Sequence, residues 1–234
     1  MNATIFKAAA GQPAKLAFYL WRLATHRRAL ARFFSADGAA VARCYRELSA
    51  SDIYRNAQKL SGRSGGILDA GMFNPLRGPV LYLACRLMRP ETVVETGVAD
   101  GCSSCLILAA LAANGKGNLR SIDLPNQPGE EIARPTGWLV PPELRSRWEL
   151  IVGDARNLLP PLLERLGEID LFFHDSDHSY ENMTREFGLA WAHLKTGGAL
   201  VADDVTENRA FRDFTAAHRV DALILFKTGL IIKR

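Results

Sequence analysis

The 234 residues suit one α/β domain with an extension better than two full domains. Apolar residues make up 48% and charged residues 23%, a balance that excludes a disordered, collagen-like or disulfide-stapled chain. The net charge is +4, with much of the excess near the N-terminus at Arg22, Arg27, Arg28, Arg32, Arg43 and Arg46; without an aromatic-interleaved basic run this reads as a solvated helix face, and no nucleic-acid partner is expected.

The first thirty residues lack a signal-peptide layout, and the apolar run Ala17–Trp21 is broken by Arg22, far short of a membrane span. No integral membrane segment is expected. Residues from Pro13 to Leu60 read as helices, with Leu16, Leu20, Leu23 and Leu30 at helical spacing. Ser35–Gly38 breaks them, with Asp37 placed to cap the second helix. A Ser- and Gly-rich loop follows from Ser61 to Gly66. Residues 1–70 are therefore expected to form a helical extension that covers a ligand pocket, supports a homodimer, or both. Residues 71–234 are expected to form the main domain.

From Met72 onward short apolar runs alternate with longer helical ones. The predicted strands are Thr92–Thr96, Leu119–Asp123, Trp148–Val152, Asp170–His174 and Ala199–Asp203. Helices are predicted at Ser103–Ala113, Ala155–Leu166 and Tyr180–Leu194. This alternation implies a mostly parallel, doubly wound, Rossmann-like α/β sheet. Ala222–Phe226 and Leu230–Lys233 flank Lys227–Gly229 as a hairpin, so seven strands should end on an antiparallel one. The Pro-rich stretch Pro125–Arg147 is long for a connection and is expected to wall the substrate site. Cys102 and Cys105 lie in an apolar helix without a second pair at zinc spacing, so they read as buried thiols in a reducing, cytoplasmic setting.

The run Val93–Ser104 carries the first chemical signal. A strand ends at Glu95, and a turn with Gly97 and Gly101 opens a helix at Ser103, whose free N–H groups can hold a polar ligand. A dinucleotide fingerprint would need glycines at 95, 97 and 100, where Glu95 and Asp100 stand. A phosphate loop around Gly115-Lys116 fails at Ala110 and Gly117. An acid at Glu95 suits a cationic ligand.

This Glu95–Gly101 turn resembles the first motif of class I S-adenosylmethionine-dependent methyltransferases. The resemblance implies that Asp123 holds the ribose hydroxyls, that Gly153, Asp154 and Ala155 meet the adenine, and that Glu95, Gly97, Gly101, Ser103 and His174 border the cofactor. Phe172–Asn182 and Ala202–Val205 resemble the metal-dependent O-methyltransferases. In that likeness Asp175, Asp203 and Asp204 hold Mg²⁺ or another divalent cation, relieving the repulsion of crowded carboxylates. A basic residue at the offset of His178 takes the acceptor's proton; Asp175 is the rival base. Asp177 either competes with Asp175 or caps the next helix. The implied activity is methyl transfer to a small-molecule hydroxyl. A fold relative without turnover and a hydroxylase-like relative are the alternatives. No nucleophile elbow, metallo-β-lactamase pattern or amine-methylation motif occurs.

Overall fold

The computed structural model describes residues 25–60, 78–125 and 134–234. Seven strands form one sheet in the order β3-β2-β1-β4-β5-β7-β6. They are β1 (Thr92–Thr96), β2 (Asn118–Asp123), β3 (Trp148–Val152), β4 (Ile169–His174), β5 (Leu194–Ala202), β6 (Ala222–Leu225) and β7 (Thr228–Ile232). Pairings among β1 to β5 are parallel, and β7 runs antiparallel to both β5 and β6. The order reverses between β1 and β4, the topological switch point where α/β sheets open a ligand crevice. The predicted fold and closing hairpin are therefore present.

The described helices begin with residues 25–33 and continue as α1 (Gly38–Ala50), α2 (Asp52–Leu60), α3 (Gly78–Met88), α4 (Cys102–Asn114), α5 (Ala155–Leu166), α6 (Tyr180–His193) and α7 (Ala210–His218). The Asp37 side chain accepts from the Ala39 N–H and caps α1 as expected. α4 is apolar around its whole circumference and sits inside the core, and all four cysteines are buried free thiols. One core joins Leu30, Val41 and Leu48 of the N-terminal helices to α3, α4 and one sheet face; the other face packs on α5, α6 and α7. The side chains of Arg86 and Asn114 bind each other, and Arg86 also reaches Glu47 at 2.9 Å, tying α1 to this layer.

Two helices, α3 and α7, have no counterpart in the sequence reading. A third difference lies at Lys195–Gly198, which fall between the predicted helix Tyr180–Leu194 and the predicted strand Ala199–Asp203. These residues belong to β5, where the register slips from Ile169 opposite Leu194 to Leu171 opposite Ala199. Gly197 adopts φ +84° there, and its N–H donates to the Lys233 carbonyl at 2.6 Å. The expected Ser61–Gly66 loop, the Leu16–Leu23 helix and the boundary at residue 70 lie outside the described residues. Among the described residues no helix is long and apolar enough to cross a membrane.

Candidate functional site

The C-terminal ends of β1 to β4 enclose a cleft of about 520 Å³, within the range of roughly 300–1,000 Å³ usual for small-molecule sites. β1 contributes Gly97–Ala99, β2 Asp123 and Leu124, and the β3–α5 turn Gly153–Arg156. β4 contributes Asp175–Asp177, and α6 adds Asn182 and Glu186. Five of these side chains are carboxylates, Asp123, Asp154, Asp175, Asp177 and Glu186, against the single guanidinium of Arg156. Such a wall favours a cationic guest.

The loop after β1 is held from both sides. The Gly97 N–H donates to the Ile122 carbonyl at 2.9 Å. Gly97 has φ +84°, and a Cβ there would lie 2.0 Å from the Asp175 carbonyl oxygen. The glycine is therefore demanded by the approach of β4, whereas the sequence suggested the approach of a ligand. Gly101 (φ +94°) starts α4 and faces Gly137 and Val140 of the loop before β3. Asp123 reaches up to this loop: its Oδ2 accepts from the Val98 and Ala99 N–H groups at 2.8 and 2.6 Å, and its Oδ1 from Leu124 at 2.8 Å. A carboxylate offers about four acceptor sites, so three backbone donors fix its orientation and leave capacity for a hydroxyl.

Glu95 is not on the cleft wall. It is fully buried, and its oxygens accept from the hydroxyls of Ser103, Ser104 and Ser121 at 2.6–2.7 Å. Burial pushes its carboxyl up to about 7, although the three serines oppose the rise. Gly101, Ser103 and His174 likewise lie behind the wall, whereas Gly97, Asp123, Gly153, Asp154 and Ala155 line it. Asp154 also caps α5, accepting from the Arg156 N–H at 2.8 Å.

Behind β4 lies a polar network that the sequence reading missed. Glu186 is fully buried and accepts from Thr96 at 2.5 Å and Ser176 at 3.1 Å, with His174 Nδ1 at 2.7 Å. Burial pushes its carboxyl up, but the hydrogen bonds outweigh this and hold it below the usual range. Asn182 joins through Nδ2, at 3.2 Å from the Ser176 hydroxyl and 2.9 Å from the Asp177 carbonyl. The available signal was Asn182 and Glu186 one turn apart on an otherwise apolar helix face.

At the outer end His178 Nε2 lies 3.6 Å from Asp175 Oδ1, both about one-quarter exposed. Desolvation raises the Asp175 carboxyl to about 7, helped by the Asp203 charge and opposed by His178. The Asp175 contact raises His178 above its ordinary value, burial notwithstanding. Asp177 takes neither of its expected roles outright: it accepts from the N–H and hydroxyl of Ser179, whose own hydroxyl accepts from the Asn182 N–H at the start of α6.

Among the described residues the expected set Asp175, Asp203 and Asp204 does not form a group with ligand atoms within 4.8 Å of one another, although the Asp203 charge acts on Asp175. Asp203 turns inward, 5% exposed, with its Oδ1 accepting from Thr228 at 3.3 Å. Asp204, at φ +50°, meets Lys227 Nζ at 3.2 Å. Among the described residues the group with ligand atoms within 4.8 Å of one another is His178, Asp204 and Glu207. Lys227 Nζ also lies 2.9 Å from Glu207, so an ammonium already serves two of these three donors. Mg²⁺ asks for a near-octahedral shell of oxygens. One imidazole and two carboxylates engaged by an ammonium do not fit a resident Mg²⁺.

Residues 94–205 match a family model described as a methyltransferase domain. No curated protein matches the sequence. The fold is similar to that of the O-methyltransferase from Bacillus cereus in complex with SAH, at TM-score 0.54 and 17% identity over 78% of this chain and 91% of that one. It is also similar to the SAH-bound methyltransferase PaMTH1 of Podospora anserina, at TM-score 0.55 and 16% identity over 79% and 88%. A third similar structure is TomG of Streptomyces achromogenes, an O-methyltransferase of tomaymycin synthesis in complex with SAM, at TM-score 0.53 and 18% identity over 79% and 91%.

Proposed function

We propose that the protein moves the methyl group of S-adenosylmethionine to a hydroxyl of a small molecule, a reading supported by the match of residues 94–205 to a methyltransferase-domain model and by the shared fold. The observation that carries this reading is the acid-lined cleft at the switch point, with Asp123 held at its centre by three backbone N–H groups. S-adenosylmethionine supplies a methyl bound to a cationic sulfur. Asp123 is suited to its ribose hydroxyls and the turn Gly153–Ala155 to its adenine. The surplus of carboxylates on the wall favours its positive charges.

The reaction breaks the sulfur–methyl bond, with the electron pair going to sulfur, and forms the oxygen–methyl bond. The acceptor's proton must leave. In this reading His178 takes it, and Asp175, 3.6 Å from the imidazole, favours the charged imidazolium that results. Glu186 and Asn182 hold the β4–α6 turn that carries both groups. Positioning and electrostatics supply most of the rate gain.

Turnover tests this. Release of S-adenosylhomocysteine is followed over a panel of phenols, enols and sugar hydroxyls, with amines and thiols as controls. His178→Gln is expected to lower kcat by about 10²–10⁴-fold, the usual contribution of a general base, with cofactor affinity unchanged. Undiminished turnover in His178→Gln, or methylation of the amines or thiols alone, would contradict the reading.

A further inference from the structure

His178, Asp204 and Glu207 form the place where a cation would sit, and the chain brings its own. Lys227 Nζ lies 3.2 Å from Asp204 and 2.9 Å from Glu207. Its position is built by the backbone. The Val205 N–H donates to the Lys227 carbonyl at 2.9 Å, tying the loop after β5 to the β6–β7 turn. Phe226, just before the lysine, and Asp204, just before Val205, both adopt left-handed angles, φ +60° and +50°. Residues other than glycine take such angles only where the surroundings impose them. Lys227 is half-exposed, so its head remains open to an incoming molecule.

A divalent ion bound at about 2.1 Å from the same oxygens would lie against the ammonium, and two like charges so close repel. The carboxylates therefore accept one cation or the other.

We propose that Lys227 is the resident cation of the acceptor site, standing where a divalent ion would be held, so that the wild-type chain does not take up divalent metal. An ammonium has three donors. Asp204 and Glu207 take two, and the third is left for the acceptor's oxygen as it ionises. Such a site needs only one acidic hydroxyl, a phenol or an enol; a chelating ion would favour two neighbouring oxygens. The choice of acceptor rests on the O-methylation reading, whereas the cation assignment does not.

Uptake of Mn²⁺, followed by the electron paramagnetic resonance signal of the free ion, tests the assignment without an acceptor. Wild type and Lys227→Arg are expected to leave the signal unchanged into the millimolar range. Lys227→Ala and Lys227→Gln are expected to bind one ion per chain at least tenfold more tightly, and adding Glu207→Gln is expected to abolish that gain. Two neutral variants guard against one failing to fold, which far-UV circular dichroism reports. Micromolar Mn²⁺ binding by wild type would overturn the proposal, as would neutral variants as blind to Mn²⁺ as wild type. A parallel titration of wild type with S-adenosylmethionine separates the two questions: its failure strikes the cofactor reading and leaves the manganese result standing.

Discussion

Glu95 shows how a single residue is readable in kind but not in role. Its place after a strand and before a Gly-rich turn marked it as special, and the sequence suggested a ligand-facing acid. The structure instead buries it among Ser103, Ser104 and Ser121, which come from two different elements. Only folding brings those hydroxyls together. The consequence is a pH dependence. The carboxyl has a folded value of about 7 against an ordinary 4.5. A raised folded value contributes stability that is complete below the unfolded value and is lost as pH rises through the folded one. Relative to Glu95→Gln, wild type should lose on the order of 3 kcal/mol between about pH 5 and 8.5, since each tenfold difference in proton affinity between folded and unfolded chain is worth about 1.4 kcal/mol. Urea unfolding of both proteins at the two pH values measures this, and parallel behaviour would refute it. Lys227 illustrates the opposite failure: it read as a hairpin turn residue, because nothing in a sequence reports an ion pair formed across separate loops.

At the scale of elements, β1, β3 and α5 have the predicted limits because each has a local signal: a β-branched or apolar run, or an Asp at the helix start. α3 lacked one. Eight of its eleven residues are buried and Arg86 is its one charged residue, so little in its sequence marks a polar face. The slip in β5 was hidden because it depends on pairing with the C-terminal tail at Lys233. Asp154 joins element and site: it caps α5 and lines the cleft. Asp154→Ala should cost about 1 kcal/mol of stability, as cap removals do, and weaken cofactor binding as well. Asp154→Asn should keep the cap and most of the stability. Thermal unfolding of the two variants decides this, and equal loss in both would argue against the cap.

Over the whole molecule, the alternation of strands and helices was sufficient to read the doubly wound sheet and the antiparallel finish. The relation of the N-terminal helices to that sheet was not, since a shared core depends on contacts between distant segments: Leu48 and Val41 pack into the cluster that holds Leu106 and Leu171. The described part of the N-terminal helices therefore covers one face of the sheet rather than standing apart with a core of its own. The partners of Asp203 and Asp204 likewise could not be read from a count of acids, because Thr228 and Lys227 come from the C-terminal hairpin.

Everything in the functional reading depends on the cleft taking S-adenosylmethionine. Titration calorimetry on wild type and Asp123→Ala, with and without Mg²⁺, measures that directly. Micromolar binding that is insensitive to Mg²⁺ and weakened at least tenfold by Asp123→Ala is the expected result, since the carboxylate orients the 97–99 loop and is the group proposed for the ribose hydroxyls. No detectable binding by folded wild type, or binding that Asp123→Ala leaves untouched, would contradict it.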